Sequence, residues 1–132
     1  MERLTALSPR VLSILRIVTG LLYLEHGLMK LFQFPVAQKG VPSPLPALIL
    51  AAGWMEFVGG ALILIGLFTR PAAFLLSGEM AYAYWTVHAP ASPYPAVNEG
   101  EAAILYCFIF FYLIFAGGGA WSVDAMFARR RR

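Results

Sequence analysis

The chain has 132 residues, of which 60% are hydrophobic and only 13% charged, with a mean hydropathy of +0.71. Ordinary soluble domains carry about 25% charged residues, and one domain of this length could not bury so much apolar surface, so a conventional cytosolic enzyme and a disordered chain are both excluded. The net charge of +3 does not point to nucleic acid, because four of the ten basic residues form the terminal run 129–132, the pattern of an anchor on anionic lipid headgroups.

Cys107 is the single cysteine. It excludes an intrachain disulfide, a C-x-x-C redox pair and a four-ligand zinc or iron–sulfur site. The composition is that of an integral membrane protein whose first partner is the lipid bilayer.

In chain order, the first apolar segment covers about residues 11–32, long enough for an uncleaved span. Residues 33–46 hold four prolines and read as a loop. The second span covers 47–68 and the third 71–88, separated by a tight hairpin at Thr69-Arg70-Pro71, with Thr69 or Arg70 as cap and Pro71 in the first helical turn. A loop at 89–97 holds three more prolines. Asn98-x-x-Glu101 has the form of a capping box opening a fourth span, 101–119, closed by Gly117-Gly118-Gly119. The remainder, 120–132, reads as a short interfacial helix and basic tail.

Arg3, Arg10, Arg70 and the four tail arginines fall on one side of these spans, against Lys39 and, at the edge, Lys30 on the other. The positive-inside rule then places both termini in the cytoplasm. The expected fold is all-α: a single domain, 1–132, forming an up-down-up-down four-helix membrane bundle.

Ionisable residues at bilayer depth are costly and are candidates for function. They are Arg16, Glu25, His26, Lys30, Glu56 and Glu79. At about 1.5 Å of rise per residue, the three acids lie roughly 10–14 Å below the outer boundary. At about 100° per residue, Arg16, Tyr23, His26 and Lys30 share one face of the first span, and Glu25 points away from it. Glu56 lies on a strip of small residues in the second span, Glu79 aligns with Tyr82 in the third, and Glu101 with Tyr112 in the fourth. Turned inward, Arg16, Tyr23, His26, Lys30, Glu56, Glu79, Tyr82, Glu101 and Tyr112 would line a polar, aromatic-walled cavity that binds a small ligand. The same charges also admit a plainer reading as internal ion pairs, Lys30 or His26 with Glu56 or Glu79. No metal site is expected, since His26 and His88 lie on different helices and no Glu-x-x-His spacing occurs.

These residues resemble the DoxX family of small four-span membrane proteins. The resemblance rests on Arg16, Gly20 and His26-Gly27-x-x-Lys30, on Glu56, Gly60, Gly66 and Thr69-Arg70, and on Glu101, Gly117-x-Gly119 and Trp121-Ser122-Val123-Asp124. It implies a multi-pass protein of the bacterial inner membrane, in a family some of whose members are subunits of quinol-linked oxidoreductases. Three readings follow. The first is a redox-associated component that docks a quinone or quinol and works with a redox partner protein. The second is a non-catalytic scaffold for another protein. The third is a small-solute carrier, which with so few spans requires a homo-oligomer with Glu25 at the subunit interface.

Overall fold

Residues 2–131 are described by a computed structural model. Among them every regular element is helical: α1 (Glu2–Phe32), α2 (Ala47–Ile65), α3 (Thr69–Ala83) continued by a π-helical turn (Tyr84–His88), a one-turn α4 (Pro95–Asn98), α5 (Glu101–Ala116) and α6 (Val123–Arg130). The helix of α1 starts well ahead of its apolar stretch, because Arg3, Leu4, Ala6 and Leu7 are good helix formers outside a membrane as well as within one. The expected capping box is not formed. Gly100 occupies the N-cap of α5, while the buried Asn98 turns its side-chain oxygen onto the Gly100 amide (2.8 Å) and donates to the Ser92 carbonyl (2.8 Å).

Helices α1 and α2 pack antiparallel at close range. Glycines make this approach possible: a Cβ on Gly20 would lie 2.5 Å from the Leu64 amide, and one on Gly27 would lie 2.5 Å from the Phe57 amide. Helix α3 runs antiparallel to α5, with Ser77 donating to the Cys107 carbonyl (2.9 Å) and Arg70 to the Ile114 carbonyl (3.1 Å). The α2–α3 hairpin joins the two pairs. Between them lies a narrow core of Tyr23, Ile63, Ala72, Ala73, Leu76, Met80, Ala103, Phe110 and Leu113. Outside it, whole helix faces of large apolar side chains are exposed, such as Val11, Ile14, Val18 and Leu22 on α1 and Leu105, Phe108 and Phe115 on α5. Soluble monomers do not present such surfaces.

One end of the bundle is closed by a polar clamp. Arg16 is completely buried, and its guanidinium donates to four carbonyls: Ile63 (2.5 Å), Leu64 (2.6 Å), Gly118 (2.7 Å) and Trp121 (2.7 Å). The first two belong to the last turn of α2, where carbonyls lack intrahelical partners. Gly66 then reverses the chain in the left-handed region at φ +71°. The next helix is capped from elsewhere: both carboxylate oxygens of Asp124 accept amides, from Phe68 (2.9 Å) and Thr69 (2.9 Å). A cation thus sits at the C-terminus of α2 and an anion at the N-terminus of α3, each opposite in sign to the local macrodipole. Ser13 completes the clamp, accepting from the Trp121 amide (3.0 Å) and donating to the Pro9 carbonyl (2.9 Å).

Arg16→Leu would remove the guanidinium from all four carbonyls, of which, among the described residues, Ile63 alone keeps a second donor in the Gly66 amide (3.1 Å), and is expected to destabilise the folded protein by more than about 3 kcal/mol, measured by chemical unfolding in detergent. Arg16→Lys should recover only part, since an ammonium cannot reproduce the fork. Gly20→Val should be comparably damaging. Gly78→Ala should be near neutral, because a Cβ there meets nothing within 4 Å.

Candidate functional site

About 21 Å further along α1 from Arg16, at 1.5 Å per residue, a second polar group occupies the opposite half of the bundle. Lys30, from the last turn of α1, reaches Glu56 on α2 and bonds both carboxylate oxygens at 2.6 Å. The pair is nearly dry, with side chains 12% and 5% exposed. Gly53 makes room for it, since a Cβ there would press on Leu31 and on the Lys30 side chain.

Next to the pair lies Glu79 of α3. Its Oε2 accepts the Tyr23 hydroxyl (2.9 Å), while its Oε1 is buried and has no partner among the described residues. Glu56 and Lys30 are near enough to act on Glu79 electrostatically, and Glu56 also acts on His26. The walls are aromatic. The Tyr23 ring packs edge-on against Tyr106 (5.1 Å between centroids) and Phe110 (4.8 Å), and His26 stands edge-on to Tyr106 (6.1 Å). The chemistry on hand is one satisfied ion pair, one carboxylate with a free acceptor, a phenol that orients it and an imidazole at the edge.

Of the nine residues expected to line one cavity, five meet here: Tyr23, His26, Lys30, Glu56 and Glu79. Arg16 does not join them. It shares their angular face but sits at the other end of the helix, engaged in the clamp. Tyr82 (56% exposed), Tyr112 (55%) and Glu101 point outward. The expected face of α5 is its outer one; the inner face is Ala103, Tyr106, Phe110 and Leu113. The inner face of α3 carries Ala72, Leu76, Ser77 and Met80. Tyr106 and Phe110, absent from the expected set, supply the aromatic wall. A small residue at position 103 in register with Phe110 and Gly117 was their signal, obscured by an α5 that is apolar nearly all round. Glu25 is exposed on the outer side of α1, as its helical angle indicates.

The described residues define a small all-helical protein with apolar outer faces and buried, paired charges, in which α1 and α2 are each long and apolar enough to cross a membrane. The chain belongs to the DoxX family, whose family model matches residues 11–89. A Haemophilus influenzae protein described as uncharacterized is 40% identical over 137 residues, spanning 98% of this chain and 100% of its own. The inner membrane protein YphA of Escherichia coli is 30% identical over 130 residues, spanning 90% of this chain and 91% of its own. No solved structure matches.

The Lys30–Glu56 pair yields a direct test. Lys30→Met alone leaves a buried carboxylate without its cation and should cost about 3–5 kcal/mol. Adding Glu56→Gln should return a large part of that loss. The coupling, read from a double-mutant cycle of unfolding in detergent, should exceed about 1 kcal/mol. Additive losses would show that the pair is not a unit.

Proposed function

We propose that this protein is a four-span, up-and-down component of a redox system in the bacterial inner membrane, with both termini cytoplasmic, and that Glu79 anchors the headgroup of a quinone or quinol. The four-span reading is supported by the lengths of the later helices. A 15-residue α3 continued by a 5-residue π-helical turn is about 30 Å long, and the 16-residue α5 is bounded by glycine and proline-rich segments at its ends. Orientation is supported by the arginines gathered at the clamp end and in the tail.

The ligand reading rests on the buried, unpartnered Oε1 of Glu79. A buried carboxylate oxygen without a donor is costly, and the hydroxyl of a quinol supplies such a donor. Tyr23 holds the other oxygen and fixes the plane of the carboxylate. Tyr106, only partly buried and stacked on the fully buried Phe110 (6.0 Å between centroids), is the aromatic surface for a ring, with His26 beside it as a second hydrogen-bonding group. Lys30 is committed to Glu56 and serves as a fixed charge rather than as a ligand donor. These residues bind, orient and exchange protons. Electrons come from or go to a redox partner protein.

A short-chain ubiquinone or menaquinone analogue in its quinol form should stabilise the detergent-purified protein by about 2.7 kcal/mol at one hundred times Kd, read as a rise in Tm. Glu79→Leu should abolish the shift and His26→Ala should reduce it. An equal shift in Glu79→Leu, or none in the wild type, would reject the site.

The scaffold and carrier readings draw on a different observation. Glu25 presents a carboxylate on the outer face of α1, where Leu21, Leu22 and Val18 are exposed beside it. A second copy or a partner helix would cover it. In that case the protein should run as a dimer or larger in mild detergent by light scattering, and Glu25→Leu should shift the distribution between states.

A further inference from the structure

The clamp end of the bundle carries an open recess that the quinone reading does not use. It has a volume of about 580 Å³ and lies between Pro9 on α1, the start of α3 at Thr69–Pro71, and the glycine loop that follows α5. Its floor holds an anomaly: Thr69 is fully buried, yet its hydroxyl has no hydrogen-bond partner among the described residues. Gly118 and Gly119 also line the recess, and their amides have no acceptor among the described residues. At the rim, Arg70 lies over Gly117 and uses one nitrogen on the Ile114 carbonyl, leaving the rest of its fork free. Asp124 is the acid in the recess, and both of its oxygens are already spent on the Phe68 and Thr69 amides. What the recess offers a ligand is therefore donors: a guanidinium, a hydroxyl and two loop amides.

We propose that this recess binds a phosphate group, supplied by the headgroup of an anionic phospholipid. A tetrahedral anion with several acceptor oxygens matches a guanidinium fork with a hydroxyl and glycine amides behind it. The surroundings argue for a lipid as the source. The recess sits where α2 ends and α3 begins, level with the end of the apolar stretch; the exposed Phe68 lines it, and Trp121, Met126 and Phe127 are exposed on the C-terminal segment that contributes Ser122 and Asp124 to its wall. Arg10, Arg129 and Arg130 lie on the elements that border it, giving the region the positive charge that attracts acidic headgroups. Phosphate goes to Arg70 and Thr69, while the glycerol and acyl chains run along the apolar margin.

The experiment is native mass spectrometry of the full chain in detergent, with phosphatidylglycerol, phosphatidylcholine or inorganic phosphate added separately and Tm followed in parallel. One phosphatidylglycerol per chain should be retained, in preference to phosphatidylcholine, with a rise in Tm. Arg70→Gln should weaken that binding about tenfold, the size of one charge-assisted hydrogen bond. Thr69→Val, which keeps the side-chain shape and the backbone amide that Asp124 caps, should weaken it by a smaller factor. Protection by inorganic phosphate alone, lost in both variants, would keep the phosphate site and assign it a free anion rather than a lipid. Retention of phosphatidylglycerol unchanged in both variants would overturn the proposal. So would retention that is lost only when the tail arginines 129–132 are replaced by glutamine, since the lipid would then be held by the tail.

Discussion

A guanidinium shut away from solvent is tolerable only when its N–H groups end on acceptors, and Arg16 meets that condition by drawing on three separate parts of the chain. Its four carbonyl partners come from the end of α2, from the glycine loop and from Trp121 in the turn that leads into α6. Moving any one of these segments takes at least one acceptor from the guanidinium and its donor from a carbonyl. The relative placement of α1, the α2–α3 hairpin and the C-terminal segment is thereby fixed at one end. Asp124 reinforces the arrangement from the other direction, because the cap it gives α3 requires the segment after α5 to fold back under the hairpin.

The residues that signal the DoxX family divide between two assemblies with different physics. Arg16, Gly66, Thr69, Ser122 and Asp124 belong to the clamp, where charge meets backbone and Ser122 caps α6 by accepting the Ala125 amide. Gly27, Lys30 and Glu56 belong to the far half, where a glycine contact brings α1 and α2 together and a charge pair spans them. Among the described residues, the buried side-chain polar atoms of the clamp are all paired except the Thr69 hydroxyl. The far half keeps one carboxylate oxygen open.

Much of the helix layout was legible in the sequence, because apolar runs, prolines and glycines punctuate it strongly: α2 begins at the expected residue and the glycine run from Gly117 ends α5, whereas α2 stops at Gly66, short of the expected residue 68. The site was legible where one residue on a helix face was polar and its neighbours were not. Glu56 on a glycine strip and His26 with Lys30 on one face of α1 were found this way. It failed on α5, where aromatic side chains cover the inner and outer faces alike, so nothing in the pattern separates Tyr106 from Tyr112. Arg16 was misplaced for another reason: helical angle puts it in line with Lys30, and only the distance along the axis, together with the orphan carbonyls of a neighbouring helix end, reveals its role. The trans-capping by Asp124 spans more than fifty residues of chain, a separation no local motif encodes.

The clamp also bears on biogenesis. Two of the carbonyls that satisfy Arg16 lie at positions 118 and 121, more than one hundred residues downstream. While the chain is being made, α1 and α2 can pair through their glycines and give Arg16 its first two acceptors, but the other two have not yet been synthesised. The half-built protein therefore carries an under-coordinated cation until residues 118–121 have left the ribosome. The first helix is thus locked only once the glycine loop has been made, and a chain cut short before that loop would leave Arg16 without two of its acceptors.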